Sequence, residues 1–117
     1  LVDYSRVLAG RVRSFDEGAT RAFVRRDVER AQDFAAAHNH DVLPDDERSR
    51  RPLSSITAPT LVIHGSADPM FPPEHGEALA EAIPGARLLP LDGAGHGVER
   101  ADWETIVRAI VEHTAAV

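Results

Sequence analysis

The chain contains no cysteine, which excludes disulfide bonds, a thiolate nucleophile and cysteine-bound zinc or iron–sulfur clusters. A reducing, cytoplasmic compartment fits this composition without being required by it. Lysine is absent as well: all 13 basic residues are arginine, a usage that carries no functional reading of its own. No apolar run approaches the roughly twenty residues of a membrane span. The opening residues, LVDYSRVLAG, lack the basic region and apolar core of a secretion signal. Positive charge is in deficit, since 13 basic residues against 19 acidic ones give a net charge of −6. That balance favours solubility and argues against nucleic acid or an anionic membrane as a partner. No internal repeat is present. A length of 117 residues falls within one domain and can bury a modest core.

The two halves are unlike, and the boundary falls near residues 52 and 53. Residues 1–52 read as helices without strands. Val2, Val7 and Leu8 suit a short helix ended by Gly10. Phe15 and Asp16 then suit a staple residue and N-cap for a longer helix, in which Val24, Val28, Ala31 and Ala35 recur at helical intervals. His38, Asn39 and His40 end that helix, and Arg21, Arg25, Arg26, Asp27, Glu29 and Arg30 form its solvated face. The charged stretch DDERSRRP reads as a linker or hinge.

From Ile56 the pattern becomes strand, helix, strand, helix. TLVIH, bounded by Pro59 and Gly65, predicts a parallel strand covered on both faces. Pro72-Pro73 opens a helix that runs to about Ile83, with Leu79, Ala82 and Ile83 on one side, and Pro84-Gly85 stops it. ARLLPL at 86–91 predicts a second strand, with Pro90 at an edge or beyond the ladder. Asp102 is placed to cap a last helix, whose apolar stripe is Trp103, Ile106, Val107, Ile110 and Val111 and whose wet side holds Glu104, Arg108 and Glu112. Trp103 is read as core. Two parallel strands cannot cover themselves, so residues 53–117 are expected to be the end of a larger sheet. The first residue, Leu1 rather than methionine, adds to the expectation that residues precede it.

In an open α/β sheet, functional residues collect on the loops that leave the carboxyl ends of the strands. Asp68 and His96 occupy equivalent places, four residues past His64 and five past Leu91. Adjacent parallel strands would bring a carboxylate and an imidazole to one sheet edge. There the acid can hold one ring nitrogen and leave the other to take a proton. Gly95 and Gly97 let the loop turn tightly around His96. His64 could join them as a metal site, yet its place inside an apolar strand favours a packed, hydrogen-bonded side chain, and no metal or other cofactor is expected. Asp-Pro at 68–69 also suits plain turn chemistry. GAGHG lacks the third glycine of a dinucleotide fingerprint, Val98 standing in its place.

PTLVIHGSADPMFP and LLPLDGAGHG resemble the acid-bearing and histidine-bearing strands and loops of the α/β-hydrolase superfamily, in the same chain order. The resemblance covers about residues 53–116. It implies an α/β fold, here the C-terminal portion of an α/β-hydrolase, with Asp68 as orienting acid and His96 as general base. More loosely, RSFDEGATRAFVRRDVERAQDFAAAHNH is similar to the helical cap of small-molecule esterases of the aclacinomycin methylesterase type, which makes residues 1–52 a lid. Contacts to a small-molecule substrate are then expected from Met70, Phe71, Gly97, Val98 and His40. Met70 and Phe71 equally suit anchoring of the loop on the core.

The sequence departs from this family in one respect: no G-x-S-x-G is present, and none of the six serines has the glycines of a nucleophile elbow. The leading expectation is therefore a carboxylic-ester hydrolase whose serine lies upstream, in a missing N-terminal half of the same fold, so that this chain alone is an inactive fragment. Two alternatives stand beside it. One keeps the fold but performs carbon–carbon bond hydrolysis, dehalogenation or cofactor-free perhydrolysis, as a haloperoxidase of this fold does. The other is a non-catalytic remnant that binds a small molecule or a partner.

Overall fold

The structure is a computed structural model that describes residues 1–33, 35, 36, 39, 42 and 51–115. His38, His40 and most of the expected linker lie outside the described residues. Two parallel strands form the centre. In β1 (Leu61–Gly65) and β2 (Arg87–Leu91), Leu61 stands opposite Arg87 and Gly65 opposite Leu91. Helix α1 (Val2–Leu8) and helix α2 (Glu17–Arg30) precede them, α3 (Pro73–Ala82) connects them, and α4 (Trp103–Ala115) follows. No helix among the described residues is long and apolar enough to cross a membrane.

Strand alternation decides which helix covers which face. Ile63, Leu89 and Leu91 gather with Ala94 and with Ile106 of α4 in a small core. His64 points the other way, where Gly76 of α3 lies against its side chain. Helices thus flank the strand pair on both sides, as parallel pairing requires. The cover is partial: β1 is half-buried along most of its length rather than enclosed on both faces as expected. Only two strands are present among the described residues, so each keeps an unpaired edge. Pro90 stands in β2, opposite His64, and is exposed.

Several helical expectations change with tertiary context. Asp16 caps α2 as expected, accepting from the Ala19 N–H at 2.8 Å. The helix ends earlier than its periodicity predicts, because Ala31 takes extended backbone with ψ 129°. Asp33 accepts from the Ala35 N–H at 3.0 Å, a local turn that competes with helix continuation. Ala31 and Ala35 are therefore not on α2. Its polar side is solvated, with Glu17 paired to both Arg6 and Arg21.

On α3 Gly76 is buried and Ala80 half-buried, and the C-cap residue Ile83 is buried just past its end, whereas Leu79 and Ala82 are exposed. On α4 the buried positions are Ile106 and Ala109. Trp103, at 51 % exposure, is not core, and Val107, Ile110 and Val111 are exposed beside it. Asp102 is buried and does not act as a simple cap; its carboxylate takes a two-pronged ion pair from Arg13, at 2.7 and 2.9 Å. Ile106 and Ala109 face the strands, and this ion pair stands at the start of the same helix.

This facing of α4 has a measurable consequence. Ile106→Ala should cost about 2–4 kcal/mol in denaturant unfolding, because it opens a cavity in the core. Val107→Ala, one residue on and 58 % exposed, should stay within about 0.5 kcal/mol of the parent. Equal losses would contradict the observed facing of α4.

Candidate active site

The acid loop leaves β1 at Gly65 and turns at Asp68-Pro69. Asp68 Oδ1 accepts two backbone N–H groups, from Met70 at 2.8 Å and Phe71 at 2.9 Å. This is the turn chemistry expected of an aspartate before proline. It leaves Oδ2 pointing out of the turn, 2.7 Å from His96 Nδ1. One carboxylate thus builds its own loop and holds the imidazole. The Asp68 side chain is 5 % exposed and that of His96 is 32 % exposed, so the acid is enclosed while the ring reaches solvent.

The two loops are laced together beyond the ends of their strands. Ser66 N–H donates to Leu91 O at 3.0 Å, Ala67 N–H to Ala94 O at 2.9 Å, and Gly93 N–H to Ser66 Oγ at 2.7 Å. At the crossing, Gly65 lies against the carbonyls of Ala94 and Gly95, and Gly95 lies against the backbone of Leu8 and Ala9. A Cβ at either position would overlap backbone atoms that have no room to shift. Gly95 is therefore required by close approach. Gly97 has open space around it and contributes no such constraint.

Around this dyad the expected residues divide. Phe71 places its ring 5.4 Å from that of His96 and 5.5 Å from that of His75, and it remains part-exposed, so it forms a wall beside the imidazole. Met70 and Val98 are exposed next to the same loops, and His40 lies outside the described residues. His64 Nε2 bonds to Phe71 O at 2.9 Å, which ties the end of the acid loop to β1, the role of a packed histidine. His75 is exposed and His113 is half-buried.

Sequence reasoning missed the segment from Leu8 to Arg13. Leu8 O accepts from the His96 N–H at 2.7 Å, Gly10 packs on Ala67 O, and Arg13 bonds to Asp92 O as well as to Asp102. No local pattern announces contacts between residues up to 89 apart in the chain. Chemically, an imidazole held at Nδ1 by a carboxylate can accept a proton at Nε2 and carry the resulting charge.

Burial of Asp68 works to raise its pKa. The Phe71 N–H, the hydrogen bond to His96 and the Met70 N–H outweigh that effect and hold the carboxyl below its ordinary value. A depressed folded-state pKa stabilises the fold fully above the unfolded-state pKa, and this contribution is lost as pH falls through the folded value. Unfolding free energy should therefore drop as the solution is acidified below about pH 4. Asp68→Asn should be less stable than the parent at pH 7 and should show a smaller acid-induced loss. Urea titrations of both proteins across this range would refute the linkage if their pH slopes coincided.

Comparison with known proteins shows the family. The family described as TAP-like protein matches residues 28–113. Rhodomycin D methylesterase DauP of Streptomyces sp. (strain C5) is 40 % identical over 78 residues, covering 66 % of this chain and 26 % of its own length. Rhodomycin D methylesterase DnrP of Streptomyces peucetius is 38 % identical over 84 residues, covering 72 % of this chain and 28 % of its own. The chain thus spans about a quarter of the length of these curated relatives. Among solved structures, the esterase EaEST from Exiguobacterium antarcticum aligns with a TM-score of 0.69 over 95 % of this chain and 40 % of that one, at 23 % identity, a likeness of fold. With most of its length matched, the chain belongs to the TAP-like protein family of the α/β-hydrolase superfamily.

Proposed function

We propose that the chain is part of a carboxylic-ester hydrolase acting on a small molecule, with Asp68 as orienting acid and His96 as general base. The 2.7 Å contact between Asp68 Oδ2 and His96 Nδ1 carries this reading. The carboxylate selects the tautomer with the proton on Nδ1, so Nε2 is left to take the proton of a nucleophile. His96 would return that proton to the departing alcohol and then draw one from water to release the acid. Similarity to two methylesterases favours an ester as substrate.

The nucleophile in this proposal is a serine outside these 117 residues. Among the described residues no serine hydroxyl is bonded to His96. Ser5 and Ser55 are tied to backbone carbonyls, and Ser66 accepts from Gly93. The exposed apolar side of α4, where Trp103, Val107 and Val111 line a shallow groove, is consistent with cover from the rest of such a fold. By itself the chain should not hydrolyse esters above background.

The decisive test uses the whole enzyme on a methyl ester or a p-nitrophenyl ester. Asp68→Asn should lower kcat about ten-thousandfold, and His96→Ala by a comparable factor, with folding intact by circular dichroism. Turnover close to the parent in His96→Ala would sink the assignment.

A further inference from the structure

We propose that Arg13 is a positioning residue that closes the histidine loop at its base and so sets where His96 stands. The loop runs from Asp92, just past β2, to Asp102, at the start of α4. A single guanidinium binds both of its ends. On one side Arg13 Nη2 donates to Asp92 O. On the other, Nη1 and Nη2 grip the Asp102 carboxylate at 2.7 and 2.9 Å, and Nη1 lies 3.6 Å from Glu99 Oε2. The Asp102 side chain is 8 % exposed and that of Arg13 25 %, so the carboxylate is enclosed and the guanidinium part-exposed, unlike a pair standing free on the surface.

The loop needs such a closure. It contains Gly93, Gly95 and Gly97 and carries no regular structure between β2 and the turn at Arg100–Asp102, so its unrestrained backbone would visit many conformations. His96 is otherwise held by two bonds, from its ring to Asp68 and from its N–H to Leu8 O. Leu8 and Arg13 belong to one short segment. The segment that receives the His96 amide therefore also ties the loop ends, and loosening Arg13 releases both. Lysine cannot reproduce this grip, because an ammonium lacks the planar fork that reaches two acceptors on one side and a carbonyl on the other.

As a statement about catalysis, this inference rests on the roles proposed for Asp68 and His96; as a statement about loop geometry it does not. The test reads both separately. In Arg13→Lys of the whole enzyme, helix content by circular dichroism should be retained. Amide exchange at His96 should accelerate about tenfold, the loss of one charge-assisted hydrogen bond, and the downfield Nδ1 proton of His96 should broaden. Arg108→Lys, a change on the exposed side of α4, should leave both signals alone. In the whole enzyme, Arg13→Lys should lower kcat about tenfold with KM unchanged, the mark of a misplaced base rather than weaker binding. Unchanged His96 signals in folded Arg13→Lys would overturn the proposal whatever the activity shows. Accelerated exchange with unchanged kcat would overturn its catalytic half. A whole enzyme in which His96→Ala is fully active would defeat the proposed function and leave the exchange result standing.

Discussion

Everything at the candidate site depends on how closely two loops approach at the carboxyl ends of β1 and β2. The parallel ladder does not stop where the strands do. It continues through Ser66 to Leu91 and Ala67 to Ala94, and the contact is possible because Gly65 meets the backbone of Ala94 and Gly95 with no side chain between them. With the loops so joined, Asp68 and His96, 28 residues apart in sequence, come within hydrogen-bonding distance. A single Cβ at this crossing would push the loops apart and break that bond before any change in the side chains themselves.

Asp68 shows how local and tertiary demands can fall on one group without conflict. Two lone-pair directions of Oδ1 satisfy backbone N–H groups of its own turn, and Oδ2 serves the imidazole. The turn and the contact to His96 make no competing demands on Asp68, because a carboxylate has acceptor capacity for each. His64 acts in a similar supporting way, fixing the Phe71 carbonyl and with it the aromatic wall beside His96.

The N-terminal segment changes character along its length. The solvated helix α2 has no buried residue, whereas the stretch from Leu8 to Arg13 is built into the base of the histidine loop. Arg13 and Asp102 are the clearest case. Their ion pair engages Asp102 at the start of α4, the helix that puts Ile106 and Ala109 inside and leaves Trp103 and Val107 outside. One charge pair thus joins the N-terminal segment to both ends of the histidine loop.

The strands, the connecting helix, the Asp16 cap and the two loops bearing Asp68 and His96 were legible in the sequence, because each rests on short-range chemistry. Apolar runs, prolines at helix starts and glycines in turns act over a few residues and leave a local pattern. The family was legible for the same reason, its motifs being contiguous. Which face of α4 is buried, where α2 ends, and how residues 8–13 meet the histidine loop were decided only by tertiary structure. Periodicity marks an apolar stripe but does not say which side of it meets the strands, and it carries no trace of an ion pair formed across 89 residues; both arise only when the chain is packed.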